Sequence, residues 1–224
     1  MAKDFSSQQV VESYDQHIRK LIPGYEVVHQ QIQALLKTYL PESAHILVVG
    51  CGTGYELGYL LQTFPNWHFT ATDLSAAMLD KARTSLQDLN VDHRVDFHLG
   101  HVHELENIVS FDAALSILVT HFVAFPQKLK FLRAIQKRLK IEGLFITFDL
   151  TEISSEPQQR ALKNICESNG LTQTQTTAML KRLADDFYAL TDEQTFELLE
   201  QAEFDQVARF TQILNYQGFL AFSK

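Results

Sequence analysis

The feature that most constrains the fold is an alternation of strand-like and helix-like segments between residues 46 and 150. The first of these segments, Ile46–Val49, is wholly apolar, which is typical of a strand buried on both faces. Chains that alternate in this way form parallel sheets with right-handed crossovers and helices on both faces. We therefore predict an α/β protein with a doubly wound, Rossmann-like sheet. The expected strands are Ile46–Val49, Trp67–Asp73, Val95–Leu99, Ala113–Val119 and Leu144–Leu150, and the expected helices between them are Leu57–Phe64, Ala76–Leu89 and Leu129–Leu139.

Outside this region the pattern predicts helices at the N-terminus and a hairpin at the end. Two β-rich runs, Val207–Ile213 and Tyr216–Phe222, are separated by two residues, which favours an antiparallel hairpin. The stretch 151–205 is too long for a bare loop and is expected to be helical. We interpret residues 1–224 as one domain with an N-terminal helical cap (1–43) and a helical insertion (151–205). The expected helices are Ser7–Lys20, a second ending near Tyr39, Gln158–Ser168, Thr172–Ala189 and Asp192–Ala202, with Ser75 and the Thr191–Gln194 pair as helix caps.

The charge balance and the cysteine count exclude several classes of function. Lys and Arg number 19 and Asp and Glu 27, giving a net charge of −8, which argues against a nucleic-acid coat. Two cysteines, Cys51 and Cys166, cannot form a disulfide framework or a four-cysteine zinc site, and no metal is expected. The segment Met1–Gln8 is polar, and no apolar run reaches the ~20 residues of a membrane span. We expect a cytoplasmic, soluble protein.

A glycine-rich segment, Gly50-Cys51-Gly52-Thr53-Gly54, directly follows the first strand. Glycines at this place let the backbone approach a ligand closely. No lysine follows them as in a phosphate-binding P-loop, and Tyr55 occupies the last glycine position of a dinucleotide fingerprint. A nicotinamide oxidoreductase is thereby disfavoured but remains an alternative.

Asp73 ends the second strand, at the sheet edge where the glycine turn is expected. A carboxylate at that position can accept hydrogen bonds from both ribose hydroxyls of a nucleoside, and such charge-assisted bonds are strong. The turn and the acid together predict a nucleoside-containing ligand at the carboxyl ends of the strands.

At these residues the sequence resembles the class I S-adenosylmethionine (SAM)-dependent methyltransferases. The resemblance covers residues 46–150 and implies the strand order 3-2-1-4-5-7-6, with the last strand antiparallel, and SAM as cofactor. It also implies that the turn lines the methionine part of SAM and that Asp73 holds the ribose. The cofactor-binding residues implied are Gly50, Cys51, Gly52, Thr53, Gly54, Asp73, Leu74, Met78, His101, Val102, Ile117 and Leu118.

The sequence departs from this family at His101, where an Asp usually follows the glycine that ends the third strand. A neutral imidazole can still accept one hydrogen bond from the adenine amine. The departure motivates an alternative in which the chain is a non-catalytic nucleoside-binding module.

A narrower, partial resemblance is to the bacterial carboxy-SAM synthases, which use SAM and prephenate in tRNA wobble-uridine modification. It rests on Ile22-Pro23-Gly24-Tyr25, Lys181-Arg182 and the closing Tyr216–Ala221 segment. It implies that Tyr25 touches the cofactor and that Arg182 grips a carboxylate. Because Ile117 stands where that family has an Asn, its chemistry is kept as the alternative.

The leading hypothesis is methyl transfer from SAM to a small-molecule acceptor, by a monomer or homodimer without a nucleic-acid or membrane partner. If a general base is needed, His121 at the end of the fourth strand is the first candidate and His17 the second, because imidazole titrates near neutrality. Arg182 has a planar fork that suits an acidic substrate, although it also has Asp185 and Asp186 nearby for ion pairs.

Overall fold

The computed structural model describes residues 7–106, 110–153 and 155–224, and it contains a seven-stranded sheet flanked by helices. The strand order is β3-β2-β1-β4-β5-β7-β6, as the family resemblance implies. The strands are β1 (His45–Val49), β2 (His68–Asp73), β3 (Val95–Leu99), β4 (Phe111–Ile117), β5 (Leu139–Leu150), β6 (Phe204–Ile213) and β7 (Tyr216–Ser223). Strands β1 to β5 are parallel, and β7 runs antiparallel between β5 and β6.

Eight α-helices are found in the described ranges. They are α1 (Gln8–Leu21), α2 (Tyr25–Tyr39), α3 (Tyr55–Thr63), α4 (Ala76–Gln87), α5 (Phe125–Gln136), α6 (Glu156–Ser168), α7 (Gln173–Asp185) and α8 (Asp192–Gln201). The predicted caps are confirmed: Ser75 accepts a hydrogen bond from the Met78 amide, and Thr191 and Gln194 form a reciprocal capping box.

Alternate residues of β1 pack into two separate cores, one on each face of the sheet. Ile46 and Val48 belong to the larger core, which is formed with α1–α4, α6 and α7. Leu47 and Val49 belong to the smaller one, formed with α5 and α8. The wholly apolar strand thus reflects burial on both faces, as predicted.

The sheet brings several strand ends together beside β1. Val49 lies in register with Thr72 of β2 and with Ser116 of β4. The chain runs from β1 outward to β3 and then crosses back to β4, so the strand order reverses between β1 and β4. Ligands of doubly wound sheets bind at such a reversal, outside the carboxyl ends of the strands.

Several predicted boundaries are wrong; among them, β6 begins at Phe204 rather than at Val207. Helix α5 begins at Phe125 rather than Leu129 and ends at Gln136, because Pro126 is tolerated in the first helical turn. Strand β5 begins at Leu139, where a register shift against β4 accommodates the residues before Gly143. Helix α7 ends at Asp185 instead of reaching Ala189.

The end of β4 also differs from the prediction. The strand stops at Ile117 rather than at Val119, because Leu118 adopts a left-handed conformation with φ of 59°. A short 3₁₀ turn, Thr120–Phe122, follows and carries His121.

Within the described residues, none of the helices has the length and apolar character that crossing a bilayer requires. Residues 1–6, part of the polar N-terminal segment considered above, lie outside the described residues.

Candidate active site

The glycine turn after β1 presents bare backbone to open space. Gly50 and Cys51 both donate backbone hydrogen bonds to the Thr72 carbonyl, at 2.8 and 3.0 Å, which fix the turn against β2. A Cβ added to Gly50 would lie 2.5 Å from a Val119 methyl group, whereas one added to Gly52 would meet nothing within 4 Å. Gly50 is therefore required for packing, and Gly52 faces a space in which a ligand can approach the backbone.

The structure brings Asp73 against this turn. Its Oδ2 accepts the Gly52 amide at 2.9 Å, and its Oδ1 accepts the Ser75 amide at 2.9 Å. Burial raises the pKa of the Asp73 carboxyl. Since each carboxylate oxygen has two lone pairs, these bonds leave acceptor capacity for a ligand hydroxyl.

Two further acids surround the turn, and the sequence analysis did not identify them. The Asp15 carboxylate on α1 accepts a hydrogen bond from the Thr53 hydroxyl at 2.6 Å. Glu56 is 8% exposed, and burial, followed by the charges of Asp15 and Asp73, raises the pKa of its carboxyl to about 7. Three carboxyl groups around one turn suit a positively charged ligand, and SAM carries a sulfonium, so these residues fit that cofactor.

The remaining residues predicted to contact the cofactor occupy different environments. Tyr25 is buried in an aromatic cluster, with its ring 4.4 Å from that of His29 and 5.3 Å from that of Tyr55. Leu74 is 64% exposed beside the turn, while Met78, Val102 and Ile117 are buried.

Two further members of the predicted set are His101 and Cys51. His101 is exposed, its ring stacks on His103 at 5.1 Å, and its amide donates to the Glu104 carboxylate at 2.6 Å. Burial raises the pKa of the Cys51 thiol well above its usual range, so this side chain is a protonated filler and not a nucleophile.

A cavity of about 260 Å³ adjoins this site, between α1, α7 and the residues that follow β4. Its walls are mostly apolar, with Leu118 and Met179 among the side chains that line it. Three polar groups predicted from the sequence meet here: His17 on α1, His121 after β4 and Arg182 on α7. The structure thus brings both candidate bases and the candidate anion-binding residue to one cavity.

His121 is held by Asp149, a residue that the sequence analysis missed. The imidazole Nδ1 is hydrogen-bonded to Asp149 Oδ1, and Oδ2 of the same carboxylate accepts the Thr120 amide at 2.5 Å. Because a carboxylate only accepts, Nδ1 carries a proton, and in the neutral imidazole the lone pair is therefore on Nε2. This arrangement is that of a general base whose orientation is fixed by a third group.

Arg182 is also held in place within the cavity wall. Its Nε donates to Asp186 Oδ2 at 3.0 Å, and the guanidinium carbon lies 5.7 Å from the centre of the Phe187 ring. The ion pair with Asp186 is thus formed, yet the guanidinium still lines the cavity.

One sequence signal could have identified Asp149: it is the only charged residue of the predicted strand Leu144–Leu150 and lies near the carboxyl end. No comparable signal marks Asp15 or Glu56, because their approach to the turn depends on how α1 and α3 pack. Within the described part of the chain, no three His, Cys, Asp or Glu side chains are placed to bind a metal ion.

Parts of this sequence are similar to known protein families and to individual proteins. Residues 47–145 match the family model described as a methyltransferase domain. The carboxy-S-adenosyl-L-methionine synthase of Campylobacter curvus is 25% identical over 219 residues, covering 95% of this chain and 92% of that protein. The malonyl-[acyl-carrier protein] O-methyltransferase of Priestia megaterium is 32% identical, over 54% of this chain and 43% of that protein.

Among solved structures, the magnesium protoporphyrin IX methyltransferase of Synechocystis with bound SAH superimposes with a TM-score of 0.67. The two are 13% identical, and the match covers 92% of this chain and 86% of that one. This similarity shows a shared fold, in agreement with the strand order.

Proposed function

Because this chain is an enzyme with a class I SAM-dependent methyltransferase domain and uses SAM as its cofactor, we propose that it methylates a small acidic acceptor. The observation that carries the proposal is the 260 Å³ cavity, in which Arg182 and His121, itself hydrogen-bonded to Asp149, face the same space. A site with one oriented base and one fixed cation suits an acceptor that has both a nucleophile and an anionic group.

We propose that the glycine turn and Asp73 hold the cofactor. The open space at Gly52 supports contact of its backbone with the methionine part, and Asp73 has acceptor capacity for the ribose hydroxyls. Leu74 and Met78 flank this position, and His101 and Val102 follow β3 where the adenine is expected. The full proposed set comprises Tyr25, Gly50, Cys51, Gly52, Thr53, Gly54, Asp73, Leu74, Met78, His101, Val102, Ile117 and Leu118.

SAM supplies an electrophilic methyl group, and the chain's own residues position the acceptor and manage its proton. Bound SAM would be held by the glycine turn and Asp73, and it would supply both the methyl group and the sulfur that leaves with the electron pair. The acceptor's proton passes to Nε2 of His121, and Asp149 stabilises the imidazolium that forms. Apolar walls around the cavity exclude water from this step.

Cofactor binding is tested by titration calorimetry with SAM. Asp73→Ala should weaken binding at least tenfold, because a charge-assisted hydrogen bond contributes roughly 1.5–3 kcal/mol. Asp80→Ala is the matched control, since Asp80 is an exposed acid on the helix that follows. Unchanged affinity in the Asp73 variant would remove the main support for the proposed cofactor site.

The acceptor class is tested with a panel of small carboxylic acids that carry a hydroxyl or an amine, with release of S-adenosylhomocysteine as the readout. Product mass should increase by one CH₂. Arg182→Met should raise KM for the acid more than it lowers kcat, whereas Lys181→Met, on the neighbouring exposed lysine, should not. If neutral analogues react as well as acids, the acidic-acceptor assignment is wrong.

A second candidate is carboxy-SAM synthesis, which the near-complete coverage of the Campylobacter curvus relative favours. The placement of Arg182 in the cavity is compatible with a carboxylate on either the acceptor or the cofactor. Incubation with SAM and prephenate, followed by mass spectrometry of the nucleoside product, decides between the two. A mass gain of one CO₂ on the cofactor would replace methyl transfer as the proposed reaction.

We also propose a cytoplasmic location. Cys51 and Cys166 are both free and buried, which is compatible with a reducing compartment. Fractionation of cells that express the full chain tests this proposal, and recovery outside the cytoplasmic fraction would contradict it.

A further inference from the structure

A buried lysine lies close to the His121–Asp149 pair. Lys128 on α5 is 1% exposed, and its Nζ donates to the Thr120 carbonyl at 2.5 Å. Thr120 in turn donates its amide to Asp149 and directly precedes His121. One residue of the 3₁₀ turn thus connects the ammonium group of Lys128 with the carboxylate that orients the imidazole.

Burying an ammonium group is unfavourable unless a negative charge is near. Lys128, Asp149 and His121 line the same small cavity of about 30 Å³, and His121 also lines the larger one. Burial lowers the pKa of Lys128 to about 8, and the charge of Asp149 opposes this shift. At neutral pH the ammonium and the carboxylate therefore balance each other.

We propose that Lys128 is a positioning residue that keeps His121 unprotonated, by neutralising the charge of Asp149 and by holding the backbone of the 3₁₀ turn. An unbalanced carboxylate beside a buried imidazole would favour the imidazolium. A protonated His121 has no lone pair for the acceptor's proton. With Lys128 nearby, the Asp149 carboxylate orients the His121 imidazole without favouring its protonation. This inference rests on the proposed role of His121 as the base.

Other ionisable groups also face His121. Besides Lys128 and Asp149, those lining the two cavities with it are Tyr14 and His17 on α1, Arg182 on α7, Tyr188 and Tyr216. Burial raises the pKa of Tyr14 and of Tyr216, so both are neutral. Arg182 and His17 remain in place when Lys128 is changed, and the comparison of variants therefore isolates the lysine.

The test is an NMR titration of the His121 imidazole between pH 5 and 8 in the full chain, with the signal assigned by its loss in His121→Gln. In Lys128→Met the titration midpoint should rise by about one pH unit, since a unit charge is removed from a buried site. Asp149→Asn should move it in the opposite direction. Lys130→Met, on an exposed lysine of the same helix, should leave it unchanged.

A conservative variant separates charge from packing. Lys128→Arg keeps the positive charge, so its midpoint should stay near that of the unmodified chain, and circular dichroism shows whether each variant folds. A midpoint in Lys128→Met that is unchanged or lower overturns the proposal, and so does an equal rise in Lys128→Arg. If Lys128→Met does not fold, Lys128→Gln provides the same comparison.

The titration needs neither an acceptor nor turnover, so its outcome is independent of the proposed reaction. Should His121→Gln retain full methyl-transfer activity, the proposed base fails even if the titration behaves as expected. If the midpoint in Lys128→Met is unchanged and His121→Gln is inactive, only the proposed role of Lys128 is refuted, and His121 remains the proposed base.

Discussion

At the scale of single residues, the chemistry of this site depends on side chains that acquire their properties from one neighbour. Asp149, near the end of β5, accepts hydrogen bonds from His121 and from the Thr120 amide. His17 lines the same cavity from α1. Because Asp149 fixes the orientation of the His121 imidazole, His121 is the preferred candidate for the base.

This preference leads to a first prediction. His121→Gln should lower the rate of methyl transfer about 10²–10⁴-fold, the usual contribution of general-base catalysis, while SAM affinity changes less than twofold. His17→Gln is the matched control and should lower the rate by less than tenfold. Initial rates of S-adenosylhomocysteine release and calorimetric titrations measure the two quantities. The reverse order of effects would transfer the role of the base to His17.

Glu56 supports a second prediction, on stability and pH. Burial raises the pKa of its carboxyl from 4.5 to about 7, so the folded chain retains a proton that the unfolded chain loses. Stability is therefore lost as pH rises from about 4.5 to 7, because the native state binds more protons over that window.

Glu56→Gln removes this ionisation. It should be more stable than the unmodified chain by roughly 3 kcal/mol at pH 8, and nearly equal to it at pH 4.5. Urea unfolding at the two pH values measures the difference. Glu12→Gln, at an exposed position of α1, should show no such dependence. A gain of the same size at both values would show that the ionisation of Glu56 is not its source.

At the scale of elements, local sequence predicts the type of a helix or strand more accurately than it predicts the residues at which that element begins and ends. The sheet order was implied by the family resemblance, and the structure confirms it. Leu118, however, leaves β4 in a left-handed conformation, although Ile117 to Val119 continue the apolar run of the strand. Periodicity in the sequence does not predict such a change of backbone conformation, which here brings Val119 close to Gly50 in the folded chain.

Contacts between elements were the least predictable part of the site. The spacing of residues along α1 indicates a helix but does not indicate that Asp15 reaches Thr53 of the glycine turn. The same holds for Lys128, which meets Thr120 only after α5 packs on the sheet. The sequence therefore predicted the turn, Asp73, His121 and Arg182 as candidate site residues, whereas the residues that contact them became apparent only in the folded chain.

The contact between α1 and the turn supports a third prediction. Asp15→Ala removes the acceptor of the Thr53 hydroxyl, a loss of about 1.5 kcal/mol for a partly exposed charged partner. Backbone amides of α1 should exchange about tenfold faster, and SAM binding should weaken. Hydrogen exchange and calorimetry measure these effects. Glu12→Ala, at an exposed position of the same helix, should change neither, and an equal response in both variants would disprove the specific contact.

At the scale of the whole molecule, the site joins parts of the chain that are far apart in sequence. The proposed cofactor site includes residues of α1, the glycine turn and the end of β2, and the cavity is lined by α1, α7 and the residues after β4. A ligand held there contacts elements that belong to the larger core, so binding should stabilise the entire fold rather than one loop.

The last prediction follows from this coupling. At 100 times its Kd, S-adenosylhomocysteine should stabilise the folded chain by about 2.7 kcal/mol, because it binds the native state alone. For a chain of this size, Tm rises by about 2–4 °C for each kcal/mol of stabilisation, so this gain corresponds to a rise in Tm of roughly 5–11 °C. Thermal unfolding followed by circular dichroism measures the shift. NAD should have no effect, since Tyr55 replaces the last glycine of the dinucleotide fingerprint. Asp73→Ala at the same ligand concentration should lose most of the shift. A rise with NAD but not with S-adenosylhomocysteine would instead assign the glycine turn to a dinucleotide.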